Sequence, residues 1–156
     1  MFALDCSASM LESGAFAQAK GLLLQWLRWA YLQRAPVALL CFGAGQVHWR
    51  LPPRRAPQWN TDLIEPLPGG GGTPLARALH TAWALLAQRP EERKILWVLS
   101  DFRSPDVLDL ARQSTPQRIA HVLVDGETPA HGGQRAFGGA GRLAAAWPGA
   151  VRIGLS

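Results

Sequence analysis

Asp5, Ser7 and Ser9 stand at alternate positions directly after a short apolar run, Phe2 to Leu4, in the opening stretch MFALDCSASM. All three side chains offer oxygen, the donor that a hard divalent cation such as Mg²⁺ takes in preference to nitrogen or sulfur. Three oxygens from one loop cannot complete an octahedron, so further donors must come from distant segments. Thr73, after the glycine run at 69–72, and Asp101, beyond the apolar stretch Ile95 to Leu99, are the two candidates. Asp5 and Asp101 both end predicted strands, where open α/β sheets place their ligands. The expected centre is therefore a Mg²⁺ site, with Mn²⁺ as the alternative ion, built from Asp5, Ser7, Ser9, Thr73 and Asp101.

The elements that must position these groups are legible from periodicity. Phe16, Ala19, Leu23, Trp26, Leu27 and Ala30 recur at helical spacing, which predicts an amphipathic helix over residues 14–34, closed by Pro36. Val37 to Phe42 is a continuous apolar run, the signature of a strand covered on both faces. A Gly-Ala-Gly turn leads into Gln46 to Leu51, whose alternation predicts an antiparallel edge strand ended by Pro52 and Pro53. Residues 54–68 read as a loop with one short helix near 59–64. Pro74 suits the first position of a helix running to Arg89. A strand at 94–100, a helix at 105–113, a strand at 117–124, a glycine-rich loop at 125–141, a helix at 142–147 and a strand at 151–155 complete the chain. Alternating strands and helices predict a mainly parallel sheet with right-handed crossovers.

Length and composition bound the class. The 156 residues suffice for one domain over 1–156 with a real core, and 48% apolar with 17% charged residues fits a compact fold. The longest apolar runs are too short to cross a bilayer and no signal peptide precedes the first strand, so the expectation is cytoplasmic with no membrane contact. Two cysteines, Cys6 and Cys41, are expected to be buried, reduced thiols. Lys and Arg outnumber Asp and Glu by 16 to 11, but the basic residues are scattered. They form no nucleic-acid arm; an acidic protein partner accounts for them as well. Met1 lies only four residues before Asp5, which reads either as a domain trimmed to its minimum or as a late start.

Three segments together resemble a von Willebrand factor A domain, more narrowly that of the D-type subunit of magnesium and cobalt chelatases: LDCSASM at 4–10, LPGGGGTPLARAL at 67–79 and VLSDFRSP at 98–105. The resemblance implies a Rossmann-like α/β fold, with a central mostly parallel sheet, one antiparallel edge strand and helices on both faces. It also implies a metal-ion-dependent adhesion site, in which an acidic side chain of a partner completes the cation's shell. The implied role is a non-catalytic accessory subunit that docks on an AAA+ ATPase subunit and a large chelatase subunit for magnesium or cobalt insertion into a tetrapyrrole. The D-type subunit also carries an ATPase-like region and an acidic, proline-rich linker, neither of which this sequence contains. Ala8 and Phe102 stand where the family commonly has glycine. Phe102 is expected to offer an aromatic face to a partner, Arg103 a salt bridge to its acidic loop, and Trp59 a further exposed contact.

Two other functions compete. One is an adaptor for a MoxR-type AAA+ ATPase in metalloprotein maturation. The other is a Mg²⁺-dependent phosphatase with Asp5 as nucleophile, although Ser7 occupies the place where a second carboxylate would be wanted. The glycine run lacks the Lys-Ser/Thr of a phosphate loop. His48, His80, His121 and His131 share no ligand spacing and read as structural, as do Trp26, Trp83 and Trp97 in the core.

Overall fold

The computed structural model describes residues 1–58, 64–66, 72–128 and 135–155. In chain order its elements are strand β1 (Phe2–Asp5), helices α1 (Ala8–Glu12) and α2 (Ala15–Leu32), strands β2 (Pro36–Gly43) and β3 (Gln46–Arg55), helix α3 (Leu75–Ala87), strand β4 (Lys94–Ser100), helix α4 (Asp106–Leu110), strand β5 (Ile119–Asp125), helix α5 (Gly139–Ala146) and strand β6 (Val151–Gly154). The strands form one sheet in the order β3-β2-β1-β4-β5-β6. Every pairing is parallel except β2 with the edge strand β3.

The direction of strand addition reverses at β1. The chain first builds outward from β1 through β2 to β3, then returns by α3 to place β4 on the other side of β1. Such a reversal leaves a crevice outside the carboxyl ends of the two central strands. Asp5 closes β1, and Asp101 follows the last residue of β4.

Two apolar clusters sandwich the sheet. Leu4, Leu39, Cys41 and Leu99 pack beneath Ala19, Leu23 and Leu27 of α2 on one face. Leu40, Phe42, Leu96, Val98 and Leu123 pack against α3, α4 and α5 on the other. Trp147 is the largest fully buried side chain, and its indole N–H donates to Leu110 O at 3.1 Å, so its single polar atom is satisfied. Trp83 donates likewise to His121 Nε2 at 2.8 Å, which fixes the proton of that buried imidazole on Nδ1; burial holds its pKa below the ordinary histidine value. Cys6 and Cys41 are both buried and free.

Several sequence expectations need correction. β3 does not stop at Leu51 but continues to Arg55, because Pro52 and Pro53 fall where the register with β2 shifts between Val37 and Leu39. An irregular stretch on an edge strand is the one sheet position where proline's missing N–H costs little. The segment after Ser7 is not all loop: α1 starts at Ala8, with Leu11 N donating to Ser7 O at 3.2 Å. The last helix starts at Gly139 rather than Arg142, and the fourth begins at Asp106 and is only five residues long. Trp83 is buried as expected, whereas Trp26 and Trp97 are half-buried and pack against each other with centroids 4.4 Å apart. The short helix expected near 59–64, Trp59, His131 and most of the glycine run lie outside the described residues.

Candidate metal centre

Four of the five expected ligands meet directly at the carboxyl edge. The Asp5 carboxylate is fully buried and both oxygens are engaged: Oδ1 accepts from Ser7 N at 2.8 Å, and Oδ2 accepts from Ser100 Oγ at 2.5 Å. Ser7 Oγ lies 3.2 Å from Ser9 Oγ, and Ser9 Oγ donates to Asp101 Oδ2 at 2.5 Å. Asp101 Oδ1 accepts from Arg103 N at 3.1 Å. Residues separated by more than ninety positions thus meet through two oxygen contacts, Asp5 with Ser100 and Ser9 with Asp101, across the tops of β1 and β4.

Thr73 joins this group through its backbone. Its carbonyl oxygen accepts from Ser104 Oγ at 3.0 Å, which ties the entry to α3 onto the Asp101 loop. Asp106 reinforces the tie by accepting from Ala76 N at 3.0 Å. Among the described residues no hydrogen bond joins the Thr73 hydroxyl to the other four side chains.

Three residues that motif reading passed over hold the arrangement. Ser100 bridges the two central strands and also accepts from Phe102 N at 3.0 Å, and Ser104 and Asp106 anchor the third segment. Their only signal was nearness to Asp101: Ser100 and Ser104 lie within the VLSDFRSP stretch and Asp106 directly after it. Asp125 is a further buried carboxylate at a strand end, but Arg152 satisfies it at 2.7 Å.

Phe102 departs from expectation. It is fully buried among the residues under α4 and α5, so its ring is not offered to a partner. Its φ of 51° is the left-handed conformation that favours glycine, and this backbone turn directs the side chain into the core. Gly139 makes the turn possible, since a Cβ there would overlap the Phe102 carbonyl oxygen. Arg103 is exposed beside the cluster.

The electrostatics favour a cation. Burial pushes the Asp5 carboxyl up to about 6, with the nearby Asp101 charge adding to the rise and the hydrogen bonds from Ser100 and Ser7 opposing it. Among the described residues, no basic side chain is among the groups acting on Asp5. The oxygen spacings of 2.5 and 3.2 Å bracket the roughly 2.9 Å between neighbouring vertices of a Mg²⁺ octahedron. Among the described residues no three His, Cys, Asp or Glu side chains cluster, so the hydroxyls are integral to any cation site here. The donor set is hard, oxygen-only and low in charge, and it fits Mg²⁺.

A stability prediction follows for the metal-free protein. Because folding raises the Asp5 pKa above its unfolded value, the fold favours the neutral carboxyl. That contribution is present below about pH 4 and is lost as pH rises through about 6. In chelator, Asp5→Asn is therefore expected to match wild type near pH 4 and to exceed it by up to about 3 kcal/mol at pH 8. Urea denaturation at the two pH values measures this. A variant less stable than wild type at pH 8 would refute the electrostatic account.

Fold and site together define an α/β domain of the doubly wound type, with an oxygen-lined cluster at its topological switch point. The chain belongs to the von Willebrand factor type A domain family, whose model matches residues 1–103. It is 39% identical over 88 residues to the magnesium-chelatase 67 kDa subunit of Chlorobaculum parvum, covering 56% of this chain and 14% of that protein. It is 39% identical over 85 residues to the magnesium-chelatase 60 kDa subunit of Cereibacter sphaeroides, covering 54% of this chain and 15% of that protein. The chain thus spans about one seventh of the length of these relatives. The crystal structure of the conserved hypothetical protein BatB from Bacteroides thetaiotaomicron superposes with a TM-score of 0.65 at 19% identity, covering 99% of this chain and 89% of that one, a likeness of fold. No helix among the described residues is long and apolar enough to cross a membrane.

Proposed function

We propose that residues 1–156 act as one von Willebrand factor A domain that binds a protein partner through a Mg²⁺ ion held by Asp5, Ser7, Ser9, Thr73 and Asp101. The observation that carries this reading is the continuous contact Ser7–Ser9–Asp101 at the switch point, with the buried Asp5 beside it. Mg²⁺ bound there would supply an electrophilic position short of negative charge, which an Asp or Glu from outside the chain can occupy. The protein's own contribution is to fix the oxygens. Asp5 orients the Ser7 backbone, Ser100 orients Asp5, and Ser104 carries the Thr73 segment into range. Arg103, exposed at the edge, favours an acidic partner loop.

The similarity to magnesium-chelatase subunits directs the choice of partner: an AAA+ ATPase subunit and a large chelatase subunit acting in metal insertion into a tetrapyrrole, in the cytoplasm. An adaptor role toward a MoxR-type ATPase uses the same site and differs only in the partner. The phosphatase reading is disfavoured by the state of Asp5. A carboxylate with no exposed surface and both oxygens hydrogen-bonded is not presented for in-line attack on a phosphate.

The test is retention of the ATPase subunit encoded nearest the gene on immobilised wild type and Asp101→Ala, each with Mg²⁺ and with EDTA. Retention is expected only for wild type with Mg²⁺, with a loss of at least about tenfold in the other three arms, the scale of losing a fully engaged charged contact. Equal retention in all four would sink metal-bridged docking.

A further inference from the structure

Basic residues that are scattered along the chain are gathered by the fold. Arg54 and Arg55 end the antiparallel strand β3, where they pair with Val37 and Pro36 at the start of β2, and Arg34 lies just before that start. Lys94 opens β4 with Arg93 directly before it, and Arg118 stands directly before Ile119, the β5 partner of Lys94. All six lie along the amino-terminal edge of the sheet; Lys94 is half-buried and the arginines are exposed. Glu92 stands against them, while Arg89 and Glu91 form a pair whose charges cancel. Six positive charges against one negative leave +5 among the described residues of this edge, equal to the net charge of the whole chain. Asp5, Asp101 and Asp125 stand at the opposite ends of β1, β4 and β5, so charge is divided along the strand direction.

Two of the six are held under backbone strain. Among the described residues, those other than glycine with a positive φ are Ala44 in the turn between β2 and β3, Phe102 at the candidate metal centre, and Arg34 and Arg118, at 52° and 67°. Arg34 takes the left-handed position that closes α2, where Ala35 N donates to Ala30 O at 2.9 Å and glycine is the usual residue. An arginine at that place gains from the helix dipole, but Arg118 stands at no helix end. Strain at two positions of one edge indicates that the place of each guanidinium matters as well as its charge.

The same edge indicates what it receives. Arg34 and Arg55 line a groove of about 370 Å³ together with Tyr31, Leu32 and Ala56. Tyr31 is 42% and Leu32 66% exposed, so a fitting occupant brings an apolar side chain between its negative charges. A polypeptide with Asp or Glu around an aliphatic residue does this, and each carboxylate accepts paired N–H bonds from a guanidinium. Single-stranded nucleic acid is held by a succession of aromatic platforms, and among the described residues Tyr31 is the one aromatic lining the groove. A bilayer responds to charge density, which unstrained lysines would supply. From β3 to β5 the edge spans four strand spacings, about 19 Å, the length of about six residues of extended chain.

We infer that this edge, from Arg34, Arg54 and Arg55 to Arg93, Lys94 and Arg118, is a docking surface for an extended acidic segment of a partner protein, with an apolar side chain of that segment seated against Tyr31 and Leu32. It lies at the opposite edge from the Asp5 cluster and stands independently of the metal reading.

The test is fluorescence anisotropy of a labelled peptide of about ten residues, glutamates around one central leucine, titrated with the chain in EDTA at about 0.15 M salt. Wild type is expected to bind it saturably, and a peptide with serine in place of the leucine several-fold more weakly. Arg34→Gly/Arg118→Gly is expected to lose about tenfold or more in affinity while its urea midpoint stays at or above that of wild type, because glycine suits a positive φ. A residue needed only for the fold would move both readouts down together. Should this variant prove less stable than wild type, Arg54→Glu/Arg55→Glu, at the exposed end of an edge strand, decides by the same loss of affinity. The proposal is overturned if wild type shows no saturable binding, if the serine peptide binds equally well, or if the deciding variant binds unchanged. It is also overturned if a ten-nucleotide oligothymidylate or vesicles containing about 30% phosphatidylserine bind more tightly than the peptide, or if sedimentation shows self-association that the deciding variant abolishes, since the occupant would then be a nucleic acid, a membrane or a second copy.

Discussion

Gly139→Ala is expected to cost about 3 kcal/mol of stability or to prevent folding, the upper range for forcing extra volume into a packed site. The added methyl would overlap the Phe102 carbonyl oxygen and come within 2.9 Å of the Phe102 Cβ. Neither obstacle is the mobile end of a side chain. Relief requires either α5 to lift from the sheet or the Asp101–Arg103 turn to shift. The first would disturb Ala140 and Leu143 in the core, and the second would strip Asp101 of its bond from Arg103 N. Gly141, two residues further along the same helix, is the internal control, because a Cβ there meets nothing within 4 Å. Gly141→Ala is expected to gain up to about 1 kcal/mol, from helix propensity and a less flexible unfolded chain. Urea denaturation of the pair should move in opposite directions. Destabilisation of similar size in both would show that close packing on Phe102 is not what requires glycine at 139.

Gly43→Ala is expected to couple a stability loss of about 2 kcal/mol to loss of the Ser7–Ser9 geometry proposed to hold Mg²⁺. Gly43 ends β2 at a φ of 141°, and its absent Cβ would stand 2.8 Å from both Cys6 C and Ser7 N. The Asp5–Ser7 turn therefore rests directly on this glycine. Any shift that admits a methyl moves Ser7 N away from Asp5 Oδ1 and the Ser7 hydroxyl away from Ser9. Gly45→Ala separates strain from displacement, since Gly45 also has a positive φ, 69°, yet faces open space. It should lose about 1 kcal/mol and keep any stabilisation by Mg²⁺, whereas Gly43→Ala should lose the Mg²⁺ response as well. Thermal melts with and without Mg²⁺ measure both. A full Mg²⁺ response in Gly43→Ala would mean that the serines do not hold the ion.

Much of the fold was legible in the order of the residues, for identifiable reasons. The apolar repeat from Phe16 to Ala30 reads as one helical stripe, the unbroken run Val37 to Phe42 as a strand buried on both sides, and Ile95 to Leu99 as a further strand. Asp5 and Asp101 were legible as strand-end carboxylates because each closes or follows a predicted strand. Proline chemistry misled at Pro52 and Pro53, since a bulge on an edge strand can be seen only once the pairing partner is known. The expectation for Phe102 failed for a related reason. An aromatic after a strand-ending aspartate looks like a surface group until a positive φ and a glycine from a helix 37 positions later turn it inward.

What the sequence by itself determined is the local character of each element and the oxygen chemistry offered at the strand ends, because both depend on side-chain type and short-range periodicity. Tertiary structure alone decided which of those oxygens meet. Parallel pairing of β1 with β4 brings Asp5 and Ser100 into hydrogen-bond contact across 95 positions. It also decided which apolar side chains are buried, because burial belongs to the packed layers and not to any one strand.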